Sequence, residues 1–268
     1  MENILLPSKM SFSKGEKENE SILTIEPLHH GYGTTVGNAL RRVLLSSLEG
    51  AAVTAVKIQG VQHEFSAVEG VKEDVLEIVL NLKQLRLKVH TDEQVILKLS
   101  VSGKEGEVSA KEIGANADVE IINPDLVLAT MTSKDAKLEM EITVGRGRGY
   151  SPTEEREASG ELGLMGIDSL FSPVVNVSVH VENTRVGEIT NYDKLIMTIL
   201  TDGSLAPEEA VESATEILLN HYNWIQGQLN NAALTEKIEA SQELAEETEE
   251  VEAEPALEED KSEESDEE

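Results

Sequence analysis

The sequence predicts an α+β fold, and three observations support that prediction. The chain has 268 residues, enough to bury a sizeable core in one large domain or two modest ones. Several short segments alternate apolar and polar residues, as half-buried strands do, and the clearest contains Leu138, Met140, Ile142 and Val144. The helical segments do not follow the strands in a βαβ rhythm, which disfavours a doubly wound parallel sheet.

The first third of the chain predicts two strands and two helices. Residues 21–26 alternate as a strand, and residues 52–58 do so again. Between them, residues 35–48 have helical periodicity and are followed by Gly50, a residue typical of helix ends. Residues 71–83 predict a second helix with one apolar face, formed by Val75, Ile78, Val79 and Leu82.

The rest of the chain predicts strands followed by one long helix. Predicted strands in the middle of the chain are residues 85–89, 95–101, 119–122, 126–130 and 138–144. The glycine-rich stretch 145–166 predicts a long loop. Two more strands, 174–181 and 195–200, precede a helix that begins at Pro207.

Charge separates the last 33 residues from the rest of the chain. The formal net charge is −30, and residues 236–268 contain 17 acidic residues against Lys237 and Lys261. This segment has no aromatic and few aliphatic residues, so it is predicted to be a disordered acidic tail. Two roles remain open for it: a solubilising terminus, or an arm that binds a basic partner.

Composition excludes several classes of function. A strongly acidic chain is a poor free-standing nucleic-acid binder, because phosphates need a basic surface. The absence of cysteine excludes a disulfide framework, a thiolate nucleophile and a cysteine-ligated zinc site. The longest apolar run is residues 126–129, against roughly 20 residues needed to cross a bilayer. With no secretory signal at the start, these features predict a reduced cytoplasmic protein.

The first helix has more apolar surface than one core needs. Its main stripe consists of Val36, Leu40, Val43 and Leu44. Leu45 lies nearly opposite this stripe and is flanked by Arg41 and Arg42. This second side either meets another surface, since arginine is favoured in interfaces, or is an ordinary solvated face with a stray leucine.

The final helix is long for a globular domain and also has a broad apolar face. It is predicted to extend to about residue 234, roughly 42 Å at 1.5 Å per residue. Its apolar positions include Val211, Ala214, Leu218, Ile225 and Leu229. Such a face predicts either packing against the equivalent helix of another chain or burial in the core of a monomer.

No motif in the sequence predicts catalysis. Gly31, Gly33 and Gly37 lie between a strand and a helix like a dinucleotide fingerprint, but their spacing is one residue too long. We expect these glycines to serve a turn and close packing, with a nucleotide-binding enzyme as the alternative. The pair His63-Glu64 lacks the second histidine of a zinc site, so no metal, cofactor or catalytic residue is expected.

One concentrated basic segment remains, Gly145-Arg146-Gly147-Arg148-Gly149-Tyr150. Two arginines and a tyrosine between glycines suit contact with RNA or with a carboxylate-rich partner. A flexible loop at the end of a strand explains the same residues equally well. The pattern alone therefore leaves the partner of this segment open.

Several short segments together carry a family resemblance. The two most distinctive are Asn38-Ala39-Leu40-Arg41-Arg42 and Arg146-Gly147-Arg148-Gly149-Tyr150. The others are residues 23–28, 63–66, 69–74, 81–83, 172–174 and 207–210. In this order across nearly all of the first 235 residues, they resemble the bacterial RNA polymerase alpha subunit in its N-terminal assembly domain.

The resemblance implies an architecture with two subdomains. A discontinuous dimerisation subdomain would contain residues 1–50 and 173–235, and an inserted, mostly β subdomain of α+β class would contain residues 51–172. The acidic tail, 236–268, would follow. Two copies would form a homodimer through the first and last helices. The implied interface residues are Val36, Leu40, Val43, Leu44, Val211, Ala214, Leu218, Ile225 and Leu229.

The resemblance also implies a non-catalytic scaffold within DNA-directed RNA polymerase, a nucleotidyltransferase. One copy would hold the β subunit and the other the β′ subunit, with omega and sigma in the same assembly. The implied large-subunit contacts are Arg41, Arg42, Leu45, Ser46, Lys83, Arg146 and Arg148. Family members usually continue into a helical DNA-binding domain, whereas this sequence continues into the acidic tail. We therefore expect no direct promoter DNA contact and no membrane contact.

Overall fold

The computed structural model describes residues 4–156 and 161–252, with side chains described as far as residue 230. Within these residues the strands are β1 (Lys9–Lys14), β2 (Glu20–Leu28), β3 (Glu49–Ile58), β4 (Leu87–Val89), β5 (Val95–Ser102), β6 (Gly106–Ser109), β7 (Val119–Ile121), β8 (Val127–Met131), β9 (Lys137–Arg148), β10 (Tyr150–Ser151), β11 (Leu164–Gly166), β12 (Ser169–Leu170), β13 (Val174–Val186) and β14 (Ile189–Thr201). The α-helices are α1 (Tyr32–Ser46), α2 (Val75–Leu82) and α3 (Pro207–Glu252).

The first sheet brings together strands from distant parts of the sequence. Its order is β1-β2-β14-β13, and every pair of neighbours is antiparallel. Helix α1 packs on β13 and β14. Fully buried side chains of this layer are Leu23, Leu44, Leu195, Met197 and Ile199. The sheet therefore forms a platform on which α1 is fixed.

The second sheet contains most of the core. Its order is β5-β9-β3-β4-β7, and β11 also pairs with β3. Helix α2 lies against β8, which pairs with β6 in a small separate sheet, while β10 pairs with β12 in another. The largest fully buried side chains here are Ile58, Ile78, Leu82, Leu87, Leu99, Leu128, Met131, Leu138, Ile142 and Ile167.

The two sheets use different parts of the chain. Strands of the first sheet come from residues 9–28 and 174–201, and strands of the second come from residues 49–166. The subdivision into 1–50 with 173–235, and 51–172, stays a prediction, and β3 begins two residues before the predicted boundary at residue 51. By compactness, the chain divides elsewhere: residues up to Ile217 form one unit, and the described residues from Leu218 form another.

The α+β prediction is confirmed, and the strongest periodic segments fold as predicted. The α2 stripe of Val75, Ile78, Val79 and Leu82 is buried, as are the four alternating residues of β9. Helix α2 begins at Val75 and not at residue 71, because the Asp74 carboxylate accepts a hydrogen bond from the Glu77 amide at 2.8 Å. That contact is an N-cap, which fixes where the helix starts.

Short strands and irregular strand pairing account for much of the difference between the predicted and the observed secondary structure. Residues 145–166, predicted as a loop, contain the end of β9 and the short strands β10 and β11. Strands of two or three residues are too short to show a period. Val175 lies within the predicted strand 174–181, but a register shift between Val174 and Asn176 leaves it exposed.

The final helix is longer than predicted. It continues to Glu252, whereas disorder was predicted from residue 236. Residues 236–252 include eight glutamates and two alanines, which have high helix propensity, and this composition favours helix as well as solvation. The remainder of the predicted acidic tail, 253–268, lies outside the described residues.

Candidate functional site

Helix α1 approaches the first sheet closely because glycines form part of its inner face. A Cβ atom at Gly37 would lie 2.7 Å from Val179 Cγ1 and 2.9 Å from Leu195 Cδ1, too close for any larger residue without displacement. Gly31, just before the helix, has a φ of 84°, a left-handed conformation that glycine adopts freely. The prediction that these glycines serve a turn and close packing is therefore confirmed.

The buried side chain of Asp193, on β14, occupies the N-terminus of α1. Its Oδ2 accepts hydrogen bonds from the backbone amides of Gly31 at 2.9 Å and Gly33 at 3.0 Å. His30 Nδ1 lies 3.7 Å from the other carboxylate oxygen. Backbone amides at a helix N-terminus are the donors that a bound phosphate uses. Here an internal carboxylate takes them, which argues against the alternative of a nucleotide-binding enzyme at this loop.

Four of the nine residues expected at a dimer interface are buried within this chain. They are Leu40, Leu44, Val211 and Ala214. Because the chain already covers these side chains, we remove them from the expected interface. Val36, Val43 and Leu218 are half-buried, and Ile225 and Leu229 are exposed. Helical periodicity identifies an apolar stripe but does not show whether the same chain or a second copy covers it. The nine expected residues therefore combine side chains that are buried within this chain with side chains that are half-buried or exposed.

The second part of α3 exposes large apolar side chains. Residues 221–230 are all exposed. At 100° per residue, four apolar positions lie within an arc of about 120°, and we call them the α3 apolar face: Leu219, Tyr222, Ile225 and Leu229. Trp224, on nearly the opposite side of the helix, is 67% exposed, and Leu229 is 66% exposed. Clustered apolar exposure of this kind marks an interaction surface more often than a free one.

The residues expected to contact large subunits begin at the C-terminal end of α1. Arg41, Arg42 and Ser46 are exposed, and Leu45 is half-buried. Ser46 Oγ donates to the Arg42 carbonyl at 2.7 Å. The helix end therefore presents two cations to solvent.

Glu49, three residues after α1, connects this helix end with the arginines of β9. Its Oε2 accepts from Arg146 Nη2 at 2.8 Å, and its Oε1 accepts from Arg148 Nη2 at 2.5 Å. The pairing register places Glu49 opposite Arg148 on the neighbouring strand. The Arg148 hydrogen bond, followed by the charges of both arginines, lowers the pKa of Glu49. We call Glu49, Arg146 and Arg148 the arginine cluster.

Lys83, at the end of α2, is tied to the segment between β11 and β12. Its Nζ lies 3.3 Å from Asp168 Oδ2, while Asp168 Oδ1 accepts from the Thr153 amide at 3.0 Å and from its hydroxyl at 3.1 Å. The Thr153 hydrogen bonds and then Lys83 lower the pKa of Asp168 to about 2. Lys83 is thus held by its own chain.

Arg156 is a central residue of this region that sequence reasoning missed. A bulge in β3 frees the Thr54 carbonyl, which accepts from Arg156 Nη1 at 3.1 Å and from the Ile167 amide at 2.9 Å. Arg156 also bonds both the side chain and the carbonyl of Ser151, and the hydroxyl of buried Ser169. Only the bulge and the tertiary fold bring these groups together, so no sequence signal marks them.

No group of three or more histidine, aspartate or glutamate side chains in the described part of the chain is placed to hold a metal ion. No helix among the described residues is long and apolar enough to cross a membrane.

Comparison with known proteins gives concordant matches. Residues 56–172 match the family described as the RNA polymerase Rpb3/RpoA insert domain. Three relatives share the name DNA-directed RNA polymerase subunit alpha. The chain is 53% identical to that of Alkaliphilus oremlandii over 201 residues, 75% of this chain and 63% of the relative. It is 56% identical to that of Carboxydothermus hydrogenoformans over 199 residues, 74% and 63% respectively.

The third relative gives the broadest coverage of the three. The chain is 50% identical to the subunit of Moorella thermoacetica over 228 residues, which is 85% of this chain and 70% of the relative. The matched region is less than two thirds of the length of the first two relatives.

Proposed function

Because this chain belongs to the family of DNA-directed RNA polymerase alpha subunits, we propose that it is a non-catalytic scaffold around which the large subunits of that enzyme assemble. The observation that carries the proposal is 50% identity across 85% of the chain. Catalysis by the nucleotidyltransferase would then lie in the partners, and this chain would need no cofactor of its own. We place this assembly in the bacterial cytoplasm.

The first part of the proposal is that the chain forms a homodimer through the α3 apolar face. Leu219, Tyr222, Ile225 and Leu229 are exposed in one copy, and burial of such side chains is the main driving force for association. A second copy offers an equivalent face, as a two-fold interface requires. Half-buried Val36 and Val43 of α1 are further candidates for contact with the second copy.

Light scattering coupled to size exclusion tests the dimer. We expect the wild-type chain to have twice the monomer mass at micromolar concentration, and Leu229→Glu to shift the population towards monomer. The matched control is Leu162→Glu, because Leu162 is 91% exposed but lies outside α3. A wild-type monomer, or equal effects of both substitutions, would contradict the proposed interface.

The second part of the proposal is that the end of α1 and the arginine cluster contact the β and β′ subunits. Arg41 and Arg42 are exposed, and Glu49 connects the same helix end to Arg146 and Arg148. Exposed arginine is enriched in interfaces because its planar fork donates several hydrogen bonds. Lys83, held by Asp168, belongs to the same proposal, with omega and sigma joining the completed assembly.

Capture of the large subunits by tagged chain tests this contact. We expect Arg42→Glu to reduce capture of at least one large subunit by ten-fold or more, because it reverses a charge in the contact. Arg185→Glu, which reverses an exposed arginine near the end of β13, is the matched control. Equal capture by wild type and Arg42→Glu would exclude Arg42 from the interface.

We also propose that the chain does not bind promoter DNA by itself. A net charge of −30 opposes the phosphate backbone over most of the surface. A gel-shift experiment with purified chain and promoter DNA at physiological salt should show no complex. A specific shift under those conditions would overturn this part of the proposal.

A further inference from the structure

One cavity is lined by almost half of the arginines of this acidic chain. The sequence has seven arginines, and Arg146, Arg148 and Arg156 line a single cavity of about 410 Å³. No lysine lines it, and Asp92 is its one acidic lining residue. The arrangement concentrates positive charge in a protein whose net charge is −30.

Two of these arginines already bind carboxylates from different parts of the chain. Glu49, on the strand next to β9, accepts from both Arg146 and Arg148. Asp92, between β4 and β5, accepts from Arg146 Nη1 at 2.7 Å. Arginine and carboxylate are matched in geometry, and their charge-assisted hydrogen bonds are among the stronger ones in proteins. The cavity is therefore built for carboxylate groups.

The two carboxylates are held very differently. Glu49 lies within β3 and is fixed by strand pairing and by two arginines. The Asp92 side chain is 92% exposed, lies outside any strand, and has one hydrogen bond to Arg146. Exposed ion pairs contribute little stability, so Asp92 is easily displaced. Arg148 bonds Glu49 through Nη2, which leaves its Nη1 and Nε donors for a further acceptor.

Arg156 forms part of the cavity wall and does not serve as a binding group for a ligand. Its guanidinium is already committed to Thr54, Ser151 and Ser169. That network fixes the position of the segment facing β9, so the cavity exists before any ligand arrives. Preformed sites bind more tightly because less ordering accompanies binding.

We propose that this cavity receives an acidic side chain of a large subunit, and that Asp92 occupies the place of that side chain until it arrives. The proposal rests on the proposed function, and it specifies the chemistry of the contact: a short acidic peptide segment displaces Asp92 from Arg146 and also engages Arg148. Asp92 thereby acts as an internal competitor that weakens binding of acidic segments in general.

Carboxylate fits the cavity better than RNA does. Base stacking needs an exposed aromatic surface, and the lining aromatic residue, Phe171, is buried. An RNA strand also has a charge at every nucleotide, most of which would face the acidic remainder of the surface. One or two carboxylates meet only the local charge of the arginines.

Titration with a capped tetraglutamate peptide tests the site directly, using full-length chain with ¹⁵N-labelled arginine and NMR detection of the side-chain signals. We expect saturable shifts of the Arg146 and Arg148 signals, and roughly two- to five-fold tighter binding by Asp92→Asn, because an exposed competing pair is lost. The matched control is Asp125→Asn, which removes an exposed aspartate paired with Lys111 elsewhere. Arg148→Gln should abolish the shifts while leaving the melting temperature of the chain nearly unchanged.

Three results would overturn the proposal in distinguishable ways. Absence of saturable peptide binding by Asp92→Asn would exclude the carboxylate site. Binding of a tetranucleotide RNA as tightly as the peptide would assign the cavity to nucleic acid. If the peptide binds as expected but Arg148→Gln still captures both large subunits normally, the partner is wrong although the site is right. Failure of wild-type chain to capture any large subunit would instead contradict the proposed function itself.

Discussion

Asp193 fixes helix α1 with one carboxylate oxygen. It accepts from two backbone amides, and a Cβ atom at Gly33 would lie 3.0 Å from Asp193 Cβ, so the two elements are in direct contact. The negative charge also faces the positive end of the helix dipole. The residue thus stabilises the helix that presents Arg41 and Arg42.

The first residue-scale prediction concerns the removal of this carboxylate. Asp193→Ala should lower the free energy of unfolding by about 3 kcal/mol, because two charge-assisted hydrogen bonds are lost and a buried amide is left unpaired. Asp193→Asn, which keeps one acceptor oxygen, should cost less. Urea unfolding at a fixed protein concentration measures both.

A matched control and a rescue experiment separate this role from general disruption. Asp125→Ala removes an exposed aspartate and should cost less than about 1 kcal/mol. Formate should raise the melting temperature of Asp193→Ala more than that of wild type, since it supplies the missing carboxylate. Equal stability of Asp193→Ala and wild type would show that the carboxylate does not hold α1.

The second residue-scale prediction concerns pH. Hydrogen bonds from Thr153 and the charge of Lys83 lower the pKa of Asp168 from 3.8 to about 2. A lowered pKa means that the ionised form favours the folded state, so this contribution is complete above pH 3.8 and is lost as pH falls towards about 2. Asp168→Asn should therefore be less stable than wild type at neutral pH, with a difference that shrinks over that acidic range.

Urea unfolding at several pH values measures this difference. Asp135→Asn is a suitable control, because Asp135 lies on an exposed turn and contacts Ser133 only through its backbone amide. A stability difference for Asp168→Asn that stays constant from neutral pH down to about 2 would contradict the assignment.

At the scale of elements, the contact between α1 and the first sheet depends on glycine. A Cβ atom at Gly37 would meet Val179 and Leu195 at less than 3.0 Å. We predict that Gly37→Ala lowers stability by about 1 to 3 kcal/mol through overpacking, although alanine favours helix by about 1 kcal/mol in isolation. Thermal unfolding followed by circular dichroism measures the change.

The neighbouring residue provides the control for this element. Asn38 is exposed on the same helix, so Asn38→Ala should be neutral or slightly stabilising through helix propensity. The opposite signs expected at adjacent positions distinguish packing from propensity. Stabilisation by Gly37→Ala would show that α1 is free to move away from the sheet.

Elements with a long, clear period could be predicted from sequence, and irregular ones could not. The alternating pattern of β9 and the apolar stripe of α2 each repeat at least twice. The buried face of each element can therefore be predicted from its sequence. Strand β1 was missed because it is a polar edge strand with a single half-buried residue, Phe12. The bulge at Thr54 leaves no trace in the sequence, because it depends on pairing with β9.

At the scale of the whole molecule, the sequence predicts apolar stripes on α1 and α3 but not which of their residues the chain itself covers. Leu40 and Leu229 are both apolar residues on helices, yet one is buried and the other is 66% exposed. The exposed arginines were identified correctly as a cluster, whereas their partners Glu49 and Asp92 were not. Ion-pair partners that lie far apart in the sequence can be identified only from the folded structure.

Across the whole molecule, acidic and basic residues are concentrated in different places. Seventeen acidic residues lie within residues 236–268, while three arginines line one cavity near the end of β9. A partner therefore meets a surface that is acidic on average and basic at one place. Such an arrangement favours one orientation of docking over others.

Co-purification tests the central claim most directly. Affinity-tagged full-length chain, expressed in its native bacterium and isolated at physiological salt, should bring down both large polymerase subunits. Native mass spectrometry should then show two copies of this chain for one copy of each large subunit. Isolation of the chain as a folded dimer or monomer without either large subunit would contradict the account of an assembly scaffold.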